Sequence, residues 1–212
     1  MNGNSRTLIC FAIKEEAGPA RAALAENPQV SLLVTGIGRK NARRTLEAEF
    51  ATQIPGLVIT SGFAGALDPK FSIGDVIYEF ATEPLCAKLE LAGAKPARIL
   101  CVDRIAVTAA DKKQLHDQTG ADAVEMESEE IHAACRERGI PCVTVRAISD
   151  RADEDLPLDF NQFAKPDMSL DYGKLMRAVA MSPGKISALL RLQKQSKLAA
   201  ENLSAALARL IA

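Results

Sequence analysis

The chain has 212 residues, 48% of them hydrophobic and 25% charged, with a net charge of −1. That is long enough for one well-buried core and too apolar for disorder, and the near-neutral balance gives no electrostatic reason to expect nucleic acid as a partner. Two histidines and five scattered cysteines, with no C-x-x-C pair, argue against a zinc site and against a disulfide framework, and fit reduced thiols in a cytoplasm.

Taken in chain order, short apolar runs alternate with helical patterns. Leu8–Ile13 reads as a strand, and it is too short for a signal-peptide core or a membrane span. The expectation is therefore a cytoplasmic protein with no membrane partner. Ala17–Glu26 reads as a helix, Val30–Thr35 as a strand, Arg39–Ala51 as a helix and Leu57–Ser61 as a strand. Further strands are expected at Asp75–Phe80, Ile99–Thr108 and Ala121–Glu125. Ser128–Arg138 is a helix stopped by Gly139 with Pro141 beyond it, and Cys142–Ser149 is a buried strand. Residues 183–212 carry leucines and isoleucines at helical spacing, giving one long amphipathic helix or two shorter ones. The alternation predicts a single three-layer α/β/α domain over residues 1–212, with a mixed, largely parallel central sheet.

That topology makes a prediction about function. If Ala121–Glu125 and Cys142–Ser149 run parallel, Glu127 and Asp150 end on one rim of the sheet. The carboxyl ends of parallel strands are where α/β proteins bind ligands. The same rim receives Glu15 and Glu16, the turn Gly36-Ile37-Gly38, and the stretch Gly62-Phe63-Ala64-Gly65.

Each motif has a plainer alternative. Gly36, Gly38 and the following Arg39 open a helix and could hold an anion such as phosphate on backbone amides; they could equally form a simple tight turn. A nicotinamide-binding reading of this G-x-G is disfavoured, because the next strand ends in Ser61-Gly62 with no acid for a ribose. Small residues around Phe63 would let a flat ligand approach the backbone, or merely turn a corner. Arg146, inside an apolar strand, needs an anionic partner unless it lies at a solvated edge. Glu125, Glu127, Glu129 and Glu130 could be first-turn acids that suit a helix dipole.

Together, "GIGRKNA", "SGFAGALDPKFSIGDVI" and "AVEMESEEIHAACRERGIPCVTVRAISDRAD" resemble the purine nucleoside phosphorylase and nucleosidase superfamily. The resemblance is nearest to methylthioadenosine/S-adenosylhomocysteine nucleosidases and the hopanoid-associated nucleosidase/phosphorylase branch, and covers most of Leu8 to about Phe163. It implies cleavage of the N-glycosidic bond of an adenine-type nucleoside, with no cofactor and no metal. By this resemblance Asp150 is the acid that serves the purine at N7, and Glu127 binds the ribose hydroxyls with Met126 lining the sugar. Glu16, rather than Glu15, holds the attacking water, and Arg146 neighbours it. Glu125, Gly62, Phe63, Gly65, Ser149 and Phe160 complete the expected substrate-binding set. The chain departs from the family in having Phe63 where serine is common, and in a short stretch between Phe80 and Val107. With 4% aromatic residues and no tryptophan, base stacking falls to Phe63, Phe160, Phe163 or Tyr172. Hydrolysis is favoured; phosphorolysis and a non-catalytic nucleoside-binding role are the alternatives. A homo-oligomer, dimeric by preference, is the expected assembly.

Overall fold

The structure, a computed structural model, describes residues 6–163, 173–174, 177 and 181–211. Its first half runs β1 (Thr7–Phe11), α1 (Lys14–Ala23), β2 (Val30–Val34), α2 (Arg39–Thr52), β3 (Leu57–Ala66) and β4 (Val76–Glu79). Then come α3 (Glu83–Leu91), β5 (Lys95–Pro96), β6 (Ile99–Cys101), α4 (Ala109–Thr119) and β7 (Ala123–Glu125). The chain closes with α5 (Ser128–Arg136), β8 (Cys142–Asp150) and α6 (Ile186–Ile211).

The main sheet has the order β2-β1-β3-β8-β4-β5. Strands β2, β1, β3 and β8 are parallel; β4 is antiparallel to β8, and β5 parallel to β4. Alternate residues of each central strand feed opposite cores, as the pleat requires. Ile9 and Phe11 of β1 pack with Val143 and Val145 of β8 against Ala17, Leu89, Leu203 and Leu207, from α1, α3 and α6. Leu8 and Cys10 face the other way, onto Leu46 and Phe50 of α2 and Ile131 and Ala134 of α5. A mixed, largely parallel sheet between two helical layers is thus the architecture, and burial on both faces explains why its strands read as continuous apolar runs.

Two details differ from the expectation. The run Ile99–Thr108 is a strand only as far as Cys101, because among the described residues β6 pairs with β7 alone and β7 is three residues long. Beyond it the chain leaves the sheet, and Thr108 becomes the N-cap of α4, its hydroxyl accepting a hydrogen bond from the Asp111 amide at 3.0 Å. Second, β7 pairs antiparallel with the far end of β3, Gly65 opposite Val124. Glu127 and Asp150 therefore meet by a different route from two parallel strand ends. The long β3 pairs with β8 through Ile148, and its register shifts between Ala64 and Gly65 where β7 docks. Residues 186–211 form one long helix, the first of the two expected alternatives, and its second half, with Leu203, Leu207 and Leu210, is buried in the core. No helix among the described residues is long and apolar enough to cross a membrane.

Candidate active site

A cavity of about 210 Å³ opens where β3 bends from β8 towards β7. Glu16, Phe63, Gly65, Glu125, Met126, Glu127, Ser149 and Asp150, all expected from the sequence, line it. Its remaining walls are largely apolar, with Ile13, Ile37, Val102, Ile105 and Leu156 among them. The outer wall is the segment 102–108, held by Asn161, whose side-chain oxygen accepts the Ile105 amide at 2.9 Å and whose amide donates to the Ile105 carbonyl at 3.0 Å.

Glu16 lies in the first turn of α1, buried, whereas Glu15 points out. Its Oε2 accepts the amides of Ala12 and Ile13 at 3.0 and 3.1 Å, and its Oε1 accepts the Phe63 amide at 2.9 Å. The carboxylate thus ties the β1–α1 turn to β3. Burial raises its pKa, outweighing these amides and the charge of Arg146.

Arg146 is fully buried beneath the cavity, which disposes of the solvated-edge alternative. Its guanidinium pairs with Glu125 and donates to the Ser61 carbonyl at 2.7 Å and the Thr60 hydroxyl at 3.0 Å. Glu127 is 3.9 Å away. Glu125 also accepts from the Ser128 hydroxyl and from the amides of Glu127 and Ser128, so its carboxylate is consumed by Arg146 and the start of α5. Burial opposes its ionisation, but Arg146 and these donors hold its pKa below the ordinary value. Glu127 receives less help. Burial and then the Glu125 charge push its pKa up to about 7, against Arg146 and one backbone amide. The two carboxyls are driven apart, one spent on the arginine and one poised at the cavity.

That backbone amide belongs to Gly38, 2.8 Å from Glu127 Oε1. The Gly36 amide bonds the Ala12 carbonyl, and Arg39 is engaged with the Cys101 carbonyl, Asp103 and Glu129. Gly36, Gly38 and Arg39 therefore do not line the cavity; Ile37 alone of this turn does. Gly62 lies behind the wall, between Glu16 and Arg146. Phe160 also lies outside the cavity, its ring centroid 6.5 Å from that of Phe163. Among the described residues Phe63 is the aromatic side chain in the lining; Tyr172 lies outside the described residues.

Asp150, the last residue of β8, also lines the cavity. Its Oδ1 accepts the Ser149 hydroxyl at 2.8 Å, and its Oδ2 accepts the ammonium of Lys112 at 2.6 Å. Gly65 makes room for it, since a Cβ there would come within 3.0 Å of Oδ2. Lys112 was not among the residues singled out from the sequence. The signal was present: Thr108 and Asp111 form a capping box and Gly120 ends the helix in a left-handed conformation, with φ of 66°. Reading α4 there would have turned Lys112 inward, beside Leu115 and His116. Among the described residues no group of histidines, cysteines and carboxylates could hold a metal ion.

The chain has relatives among known proteins. A model of the phosphorylase superfamily matches residues 85–180. A 5′-methylthioadenosine/S-adenosylhomocysteine nucleosidase from Exiguobacterium is 30% identical, with 72% of this chain and 80% of the relative covered. Among solved structures, a nucleosidase of the same name from Colwellia psychrerythraea, in complex with adenine, superposes with a TM-score of 0.74 at 16% identity, over 98% of this chain and 95% of that one. The futalosine hydrolase of Helicobacter pylori gives 0.70 at 18% identity, over 98% and 99%. The chain belongs to the phosphorylase superfamily, as a relative of the methylthioadenosine/S-adenosylhomocysteine nucleosidases.

Proposed function

We propose that this enzyme is a purine nucleosidase that hydrolyses the N-glycosidic bond of an adenine-type nucleoside with an apolar 5′ substituent. One observation carries the reading. Three buried carboxyl groups, Glu16, Glu127 and Asp150, surround one small cavity, and the two buried cations beside it, Arg146 and Lys112, are each already paired with an acid.

Such a site suits a reaction in which the sugar becomes cationic. As the C1′–N9 bond breaks, its electron pair leaves with the base and positive charge grows on the ribose, as in other oxocarbenium-like cleavages. Glu127 accepts hydrogen bonds from the ribose hydroxyls and opposes that charge. Glu16, with its raised pKa, takes a proton from the water whose oxygen bonds C1′. Asp150 passes to N7 a proton taken up from solvent when the nucleoside binds, so the base departs neutral. The products are free base and free pentose, and the two carboxyl groups exchange their protons with solvent afterwards.

Water rather than phosphate is favoured as the nucleophile. A phosphate dianion needs free donors or cations, and here the Gly36 and Gly38 amides, Arg39 and Arg146 all have protein partners. The apolar walls from Ile13, Ile37, Phe63 and Ile105 favour an apolar 5′ group. Relatives named for methylthioadenosine and S-adenosylhomocysteine support the adenine-type base. The test is release of adenine from 5′-methylthioadenosine by the wild type and by Glu16→Gln. Loss of about 10²-fold or more in kcat is expected, the range of a missing general base. Unchanged turnover in the variant would remove Glu16 from this role.

A further inference from the structure

Lys112 is fully buried, and its ammonium has three acceptors: Asp150 Oδ2 at 2.6 Å, the Arg151 carbonyl at 2.6 Å and the Glu154 carbonyl at 3.0 Å. An ammonium has three protons, so its donors are all used. Two of its acceptors are carbonyls of the segment that leaves β8, and the third is the carboxylate that faces the cavity. Arg191 and Gln195 of α6 bind the carboxylate of the same Glu154, at 2.7 and 3.1 Å, which braces that segment from outside.

A lysine serving only packing would not need a carboxylate of the cavity wall as its counter-ion. Burying an ammonium is expensive unless it is paired, and α4 could have filled this position with an apolar residue. What the pairing does is to fix one side of Asp150. Lys112 on Oδ2 and Ser149 on Oδ1 orient the carboxyl group, and Oδ1, bonded among the described residues by Ser149 alone, is the oxygen left for a ligand. The positive charge also lies 2.6 Å from the group that becomes negative when a proton passes from Asp150 to a departing base.

We propose that Lys112 is a positioning residue for base departure: it anchors Asp150 with Oδ1 towards the base and stabilises the carboxylate formed when the proton is given up. This rests on the nucleosidase reading above, and it makes Lys112 matter only when the leaving group needs a proton. A purine does. The 4-nitrophenolate of 4-nitrophenyl β-D-riboside does not.

The experiment compares wild type, Lys112→Met, Lys112→Arg and Asp150→Asn on 5′-methylthioadenosine and on 4-nitrophenyl β-D-riboside. For Lys112→Met, kcat with the purine nucleoside falls by about 10²-fold, as for a missing acid, while the nitrophenyl riboside is cleaved at close to the wild-type rate. Asp150→Asn shows the same pattern, and adding Lys112→Met to it lowers purine turnover no further. Lys112→Arg, which keeps the charge, recovers part of the purine activity. Equal losses with both substrates would mark Lys112 as purely structural and overturn the inference, as would undiminished purine turnover in Lys112→Met. Failure of the wild type to cleave the purine nucleoside at all would instead overturn the proposed function.

Discussion

Glu127 Oε1 sits 2.8 Å from the backbone amide of Gly38. The glycine turn that opens α2 does hold an anion, and the anion is the protein's own carboxylate. This one bond joins the second βα unit to the start of α5, 89 residues later in the chain. It also uses up the donor a phosphate would have needed, while Glu127 Oε2 lies 3.9 Å from the Arg146 guanidinium.

The first prediction concerns pH. Burial and the Glu125 charge put the Glu127 pKa at about 7. Below that value Glu127 carries a proton and loses the negative charge that receives two ribose hydroxyls; above it the carboxylate is complete. KM for the nucleoside should therefore rise as pH falls below about 7, by at most about tenfold per unit for a single proton. Inhibition by free adenine, which has no ribose, should stay flat over the same range. Glu127→Gln should abolish the difference. Parallel pH slopes for nucleoside and adenine would contradict the role.

Gly62 lies in β3 between Ser61 and Phe63, which bond Arg146 and Glu16. Its φ of 139° is one that side chains rarely adopt, and a Cβ there would lie 2.7 Å from Glu16 Oε1 and 2.8 Å from Arg146 Nη1. Gly62→Ala should cost about 1–3 kcal/mol of stability from backbone strain alone, and should cut turnover by displacing Glu16. Denaturant unfolding and steady-state kinetics measure both. A variant matching the wild type in each would show that this packing is not needed.

Asp150→Asn should lose stability as well as activity. The change leaves the Lys112 ammonium buried without a counter-charge, and breaking a buried pair from one side costs about 3–5 kcal/mol. Adding Lys112→Met removes the stranded charge and should restore much of that stability while purine cleavage stays lost. Additive destabilisation in the double variant, followed by urea unfolding, would show that the pair is not coupled.

The apolar cavity wall predicts the order of substrates. Adenosine derivatives with alkylthio groups at 5′ should have higher kcat/KM than adenosine, each buried methylene contributing about 0.8 kcal/mol where it finds room. A panel in which unmodified adenosine is best would place a polar group where Ile13, Ile37 and Ile105 now stand.

Much of this was legible in the residues. Apolar runs of parallel strands gave the sheet, and the acids after β1, β7 and β8 gave Glu16, Glu127 and Asp150. The isolated arginine in β8 demanded a buried anion, and Glu125 is that anion. What the sequence hid depended on partners distant in the chain. Val102–Thr108 has strand-like composition, but among the described residues no neighbouring strand pairs with it. The antiparallel docking of β7 on β3 is set by a register shift at Ala64/Gly65 that no local pattern announces. Lys112 stands beside a second lysine, Lys113, and its carboxylate partner, Asp150, lies 38 residues away in the chain.

The most direct measurement is of products. Purified protein is incubated with 5′-methylthioadenosine in phosphate-free buffer and again with added phosphate, and adenine, free pentose and pentose 1-phosphate are quantified. The account predicts adenine and free methylthioribose in equal amounts, at a rate independent of phosphate. Pentose 1-phosphate as the main product, with little adenine released when phosphate is absent, would contradict it.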